Sequence, residues 1–165
     1  MSQALDLQPL RSYLRTTYDM RMVLAPLEEL QQAFYKQKQP FIETLDKQIP
    51  FPLSDTLKQM ASKEKIDLAN PTQAQEFFVQ MQKAIQQIPV VHVTMSFQPT
   101  IALINTMIRW LSENITSFVI LDFDIDRTLI GSAKIQFNGK YKDYSIKKRL
   151  AEHPMDVANQ EQTNG

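Results

Sequence analysis

The chain has 165 residues, 18 basic against 18 acidic, with 43% hydrophobic and 22% charged side chains, no cysteine and two histidines. That length supports one domain or two small ones around a sizeable core, and the composition excludes wholesale disorder. Zero formal net charge argues against a surface given over to nucleic acid or anionic lipid, and the missing cysteines and scarce histidines exclude disulfides, thiolate nucleophiles and multi-histidine metal sites.

Residues 1–88 read as helices, because apolar positions recur at threes and fours and no glycine interrupts them. Pro9 fits a first helical turn, followed by Leu10, Tyr13, Leu14 and Tyr18 on one face. Pro26 is expected to restart or bend the chain, and Leu27, Leu30, Phe34, Phe41 and Leu45 continue a stripe that Pro40 breaks, giving a helical hairpin. Ile49-Pro50-Phe51-Pro52 cannot be helix interior and predicts a hinge. Beyond it, Ser54 or Asp55 is the expected cap of a short helix carrying Leu57, Met60 and Ala61. Asn70-Pro71-Thr72-Gln73 marks a clearer start, with Asn70 as N-cap, Pro71 at the first position and Gln73 reaching back as in a capping box. Phe77, Met81, Ile85 and Ile88 then form a core stripe, and the glutamines opposite read as a solvated face.

At Pro89 the period changes to two. Val91, Val93, Met95 and Phe97 alternate with Val90, His92, Thr94 and Ser96, which predicts a strand on whose lesser face His92 has no partner within sequence reach. A helix opens at Pro99 or Thr100 and ends near Asn114, burying Ile101, Ile104, Ile108 and Leu111 with Leu103, Met107 and Trp110 beside them. Thr116 to about Asp124 is a second strand, parallel to the first. Ser132 to Asn138 alternates with Ala133, Ile135 and Phe137 inward, Asn138-Gly139 is a two-residue hairpin signal, and Lys140 to Asp143 returns. Asp143 or Ser145 then caps a last helix with Ile146 and Leu150 inward and Lys147, Lys148 and Arg149 outward, before His153-Pro154 and a polar tail. The fold class is α+β: a helical domain over 1–88, a small mixed-sheet domain (β-α-β-β-β-α) over 89–152, and a tail over 153–165 without expected order.

Val119 to Ile130 matches the first motif of haloacid-dehalogenase-like phosphatases, in which Asp124 would be the nucleophile, Asp126 the general acid and base, and Mg²⁺ the bridge to phosphate. Arg127 stands where that loop usually carries glycine, and the 37 residues after Thr128 are too few for the remaining strands of such a site. The simpler reading points Asp122 and Asp124 outward and lets Asp126 cap the next loop through backbone N–H groups. Asp122, Asp124 and Asp126, three carboxylates in five residues, could hold a divalent ion weakly, but no further ligand converges on them in the sequence.

The series Asp126, Thr128, Leu129, Ile130, Gly131, a strand containing Ile135, Gly139, Asp143, Ser145 and Leu150 resembles the C-terminal signature of the delta subunit of F-type ATP synthases, the oligomycin-sensitivity-conferring protein family. The signature runs Asp-Pro-Ser-Leu-Ile-Gly-Gly, a strand, a glycine turn, Asp-x-Ser and a basic helix ending in leucine. Arg127, Ser132 and Tyr144 depart from it, and the likeness covers about Pro89 to Leu150, with a divergent or shortened helical part before it. The resemblance implies a non-catalytic stator subunit without cofactor, whose partners are the N-terminal segments of the alpha subunit and the b subunits of the peripheral stalk. In a bacterium it would lie at the cytoplasmic face of the cell membrane, meeting the membrane only through the complex. No basic-then-apolar leader opens the sequence and no apolar run approaches the ~20 residues of a membrane span. Arg127 to Arg149 holds seven basic residues and one acidic, with Phe137, Tyr141 and Tyr144 among them, so a small nucleic-acid or protein binding module is the competing class; the neutral whole ranks it lower.

Overall fold

The computed structural model describes residues 5–36, 41–114, 116–129 and 133–143. Ile130, Gly131, the predicted last helix with Ser145 and Leu150, and the tail lie outside the described residues, as does Pro40. Among those described are a 3-10 helix (Gln8–Tyr13) and five α-helices, α1 (Thr17–Lys36), α2 (Phe41–Gln48), α3 (Leu53–Lys63), α4 (Pro71–Gln86) and α5 (Ile101–Asn114). Four strands, β1 (Val90–Met95), β2 (Ile120–Ile125), β3 (Ala133–Phe137) and β4 (Lys140–Asp143), form one mixed sheet in the order β2-β1-β3-β4. The α+β class is therefore as expected.

The first helix differs from its periodicity. Leu10 and Leu14 are buried, but the 3-10 turn ends at Tyr13, Leu14 leaves the helical region at φ -131°, ψ 62°, and α1 starts afresh at Thr17, leaving Tyr18 exposed. A reciprocal capping box makes that start: the Asp19 N–H donates to Thr16 Oγ1 (3.1 Å) and the Thr16 N–H donates to Asp19 Oδ2 (3.0 Å). Pro26 does not restart the chain. It sits inside α1, where Val23, Leu24, Leu27 and Leu30 bury one uninterrupted stripe that outweighs a missing N–H.

The Ile49–Pro52 segment separates α2 from α3 as its prolines require. Neither Ser54 nor Asp55 caps α3, because the helix begins at Leu53, the Ser54 and Thr56 N–H groups donate to the Pro50 and Pro52 carbonyls, and Ser54 is buried. At its far end Lys65 adopts φ 57°, with the Ile66 N–H donating to Ala61 O (2.8 Å) and the Lys65 N–H to Ser62 O (3.1 Å). This is a Schellman closure with lysine at the left-handed position glycine prefers. Lys65→Gly is accordingly expected to raise stability by about 0.5–1 kcal/mol, measured by chemical denaturation.

In α4, Asn70 Oδ1 accepts from the N–H groups of Thr72 (3.0 Å) and Gln73 (3.4 Å), with Pro71 at the first position. Gln73 completes no box with Asn70; its Oε1 accepts instead from the Asp67 N–H (2.9 Å), fastening the preceding turn. Phe77, Met81, Ile85 and Ile88 are buried, joined by Ala74 and Phe78. The glutamine face is not wholly solvated, since Gln31 of α1 donates to Gln82 (3.0 Å).

β1 and β2 pair in parallel from Val90↔Ile120 to Met95↔Ile125. β2 starts at Ile120 rather than Thr116, because the partner strand starts only at Val90 and residues 116–119 have nothing to pair with. β3 lies antiparallel to β1 and to β4. The turn between β3 and β4 has φ 48° at Asn138 and φ 72° at Gly139, as a primed two-residue turn demands. A Cβ at Gly139 would meet nothing within 4 Å, so Gly139→Val is expected to cost about 1–3 kcal/mol through backbone strain alone, read from its melting temperature.

Alternation sorts the sheet into two faces. Val91, Val93, Met95, Val119 and Leu121 pack with Ile108 and Leu111 of α5, and Leu103, Ile104, Met107, Phe123, Ala133, Ile135 and Phe137 border them. On the opposite face only the first rung is apolar: Ile120 is buried in the helical cluster, with Val90 and Phe118 against it. The next rungs, His92 beside Asp122 and Thr94 beside Asp124, are polar because the helices do not cover them. Phe97, Ile101 and Trp110, expected inward, are exposed: β1 ends at Met95, and α5 turns toward the sheet only the flank bearing Ile108 and Leu111.

Candidate functional site

Among the described residues, those singled out in the C-terminal part do not form one pocket. Asp126 follows β2, and its N–H donates to Met95 O (2.9 Å), so the turn is tied to the end of the neighbouring strand. Asp126 Oδ1 accepts from the Thr128 N–H (2.9 Å) and hydroxyl (2.5 Å), and the Leu129 N–H donates to Asp126 O (3.1 Å). The side chain therefore closes an Asx turn, the capping role its chemistry suggests. Gly139 lies at the hairpin tip, and Asp143 ends β4 opposite Lys134.

The Thr128 hydroxyl holds the Asp126 carboxyl below the usual aspartate range; the Thr128 N–H adds to this, and the Lys134 charge contributes a little more. A general acid working near neutrality needs the opposite shift. Because the folded value is the lower one, the turn's contribution to stability is present above the unfolded aspartate value of about 3.9 and is lost as pH falls through the folded value. In an NMR titration Asp126 is expected to titrate below the ordinary aspartate value of about 3.9, and Thr128→Val to move it back up toward that value.

Asp124 is exposed on β2, and among the described residues no three His, Asp or Glu side chains come together to hold a metal ion. The chain after Asp126 returns antiparallel through β3 and β4 instead of crossing over to further parallel strands. The strands after the motif thus do not supply the further parallel strands of such a phosphatase site.

Register gives His92, exposed on its strand as expected, a partner beyond its sequence neighbourhood. His92 lies opposite Asp122 in the parallel pair, and its Nδ1 is 3.0 Å from Asp122 Oδ2. The other carboxylate oxygen accepts from the Thr17 hydroxyl (2.6 Å) at the start of α1. Beside it, the Leu121 N–H donates to Arg15 O (2.9 Å), and Thr16 bridges to Leu121. Residues 15–17 therefore cover part of the outer edge of β2, and Asp122 clasps the first long helix to the sheet. Such a clasp holds shape.

Comparison with known families shows where a chain with these positioning hydrogen bonds belongs. The model of the ATP synthase delta (OSCP) subunit family matches residues 4–154. The chain belongs to that family. The match runs through the helical part as well as the sheet, so the ATP synthase delta family likeness extends well before Pro89. No curated protein matches the sequence closely enough to be named beside it. Membership makes the chain a peripheral-stalk component of F-type ATP synthase, in a family that is a non-catalytic part of that complex. Among the described residues no helix is long and apolar enough to cross a membrane.

Proposed function

We propose that this subunit couples the catalytic head of the synthase to the peripheral stalk, resisting the torque of the central shaft without chemistry of its own. The helical part, 1–88, takes N-terminal segments of the alpha subunits, and the sheet part, 89–152, receives the ends of the b subunits; in a bacterium this places the chain at the cytoplasmic face of the cell membrane. The family match over residues 4–154 carries this reading. Exposed apolar side chains support it on both parts: Tyr18 and Met22, one turn apart on α1, with Phe51 on the helical side, and Phe97, Ile101 and Trp110 on the sheet side. Amphipathic helices dock on such surfaces through a few apolar anchors, with charge setting their orientation. Asp126, Thr128, Leu129, Ile130, Gly131, Gly139, Asp143, Ser145 and Leu150 serve in this view as the structural signature of the sheet part.

Affinity purification of the tagged chain from native membranes is expected to recover alpha and b subunits in amounts comparable to the chain itself. Recovery of nucleic acid or unrelated proteins alone would sink the proposal. Asp124→Asn is expected to leave that recovery unchanged.

A further inference from the structure

A cleft of about 610 Å³ opens between the N-terminal 3-10 helix and α5. Three arginines line it, Arg11, Arg15 and Arg109, together with Ser12, Asn105 and the apolar floor of Ile108, and among the described residues no carboxylate is in its walls. Within the described residues, Arg11 and Arg109 have no acidic partner. Arg15 has only Asp19, at 3.9 Å, and its Nε is shielded from water without a hydrogen bond. In a chain of zero net charge, three forked donors around one cleft form a local positive field that, among the described residues, only Asp19 offsets in part.

We propose that this cleft is a docking site for an acidic segment of a partner protein, which presents two or more carboxylates to Arg11, Arg15 and Arg109 and apolar side chains to α5. Arginine suits this ligand because its planar fork pairs bidentately with carboxylate, and clusters of arginine are a recurring means of reading acidic motifs. A segment fits better than a free anion for two reasons. The cleft has the volume of a site that holds several side chains, far more than one inorganic ion fills. Its α5 wall also continues along one exposed helical face through Arg109, Asn105 and Ile101, the last 65% exposed, which offers an apolar contact beyond the charges. That the ligand is a protein segment rests in part on the proposed place of this chain in a multi-subunit complex; the cationic cleft does not.

The test uses the purified full chain and a fluorescein-labelled twelve-residue peptide alternating pairs of glutamate with leucine, followed by fluorescence anisotropy. Binding is expected, weakening as salt rises, and expected to fall about tenfold or more in the Arg11→Glu/Arg109→Glu double variant, whose circular dichroism stays that of the parent. Equal binding of the peptide with glutamine in place of glutamate would overturn the proposal. So would undiminished binding to the double variant, or no binding to the parent at all. Displacement of the peptide by millimolar inorganic phosphate or ATP in the same arginine-dependent manner would make this a free-anion site and overturn the assignment to a protein segment. Because the titration needs no other subunit, failure to recover alpha and b subunits from membranes would refute the stator reading while leaving this result standing.

Discussion

Phe78→Ala is expected to lower the free energy of unfolding by about 3–5 kcal/mol, a large share of the ~5–15 kcal/mol that holds a domain folded. Phe78 is fully buried on α4, and its ring meets that of Phe77 edge-to-face, with centroids 5.1 Å apart and planes at 76°. Truncation removes the apolar burial, the ring pair and the dispersion contacts of the surrounding wall together. The wall cannot collapse easily into the space, because Leu27, Leu30, Leu57 and Met81 in the same cluster are each held on helices tied to their neighbours. Urea denaturation of the variant and of Gln80→Ala, an exposed position on the same helix, separates packing from helix propensity. The exposed change is expected to stay within about 0.5 kcal/mol. A loss below about 1 kcal/mol for Phe78→Ala would mean that α4 does not anchor the helical core.

Local signals carried much of this fold, and tertiary pairing accounts for the rest. Asn138-Gly139 dictates its turn by backbone dihedrals alone, Asn70-Pro71 caps α4 within its own three residues, and the alternation of Val91, Val93 and Met95 sets which face of β1 is covered. The break before α1 was harder to read. Leu10, Tyr13, Leu14 and Tyr18 have helical spacing, yet Arg15 and Thr16 bond to Leu121 instead, an association no window of a dozen residues contains. Thr16-x-x-Asp19, a capping box, was the one local sign of the new start.

The same limit governs the polar contacts. His92 finds Asp122 30 residues away, and Asp122 finds Thr17 105 residues away, so neither pairing exists until the β1–β2 register is known. Residues 116–119 look like strand by composition but lack a partner strand, which composition does not report. The arginines of the cleft are ordinary surface charges in the sequence. Only the approach of the 3-10 helix to α5 assembles them.

Ile120→Ala is expected to cost about 2–4 kcal/mol, within the range for deleting a buried branched side chain, and to affect both parts of the chain. Ile120 belongs to a strand of the sheet, yet it is fully buried among the side chains of the helical cluster, while the next residue, Leu121, packs in the cluster on the α5 face. The two clusters thus share one strand, and the bonds at Arg15, Thr16 and Thr17 brace the same junction. Far-UV circular dichroism reports mostly the helices, whereas Trp110, the only tryptophan, reports α5 beside the sheet. If Ile120 couples the two parts, its truncation lowers the denaturation midpoint by both probes, and Leu121→Ala does the same through the other cluster. A midpoint that moves by dichroism alone would place an independent boundary near residue 88. The helical part would then hold the head, and the sheet part the stalk, as separately stable units joined by a yielding contact, which would alter how torque passes between them.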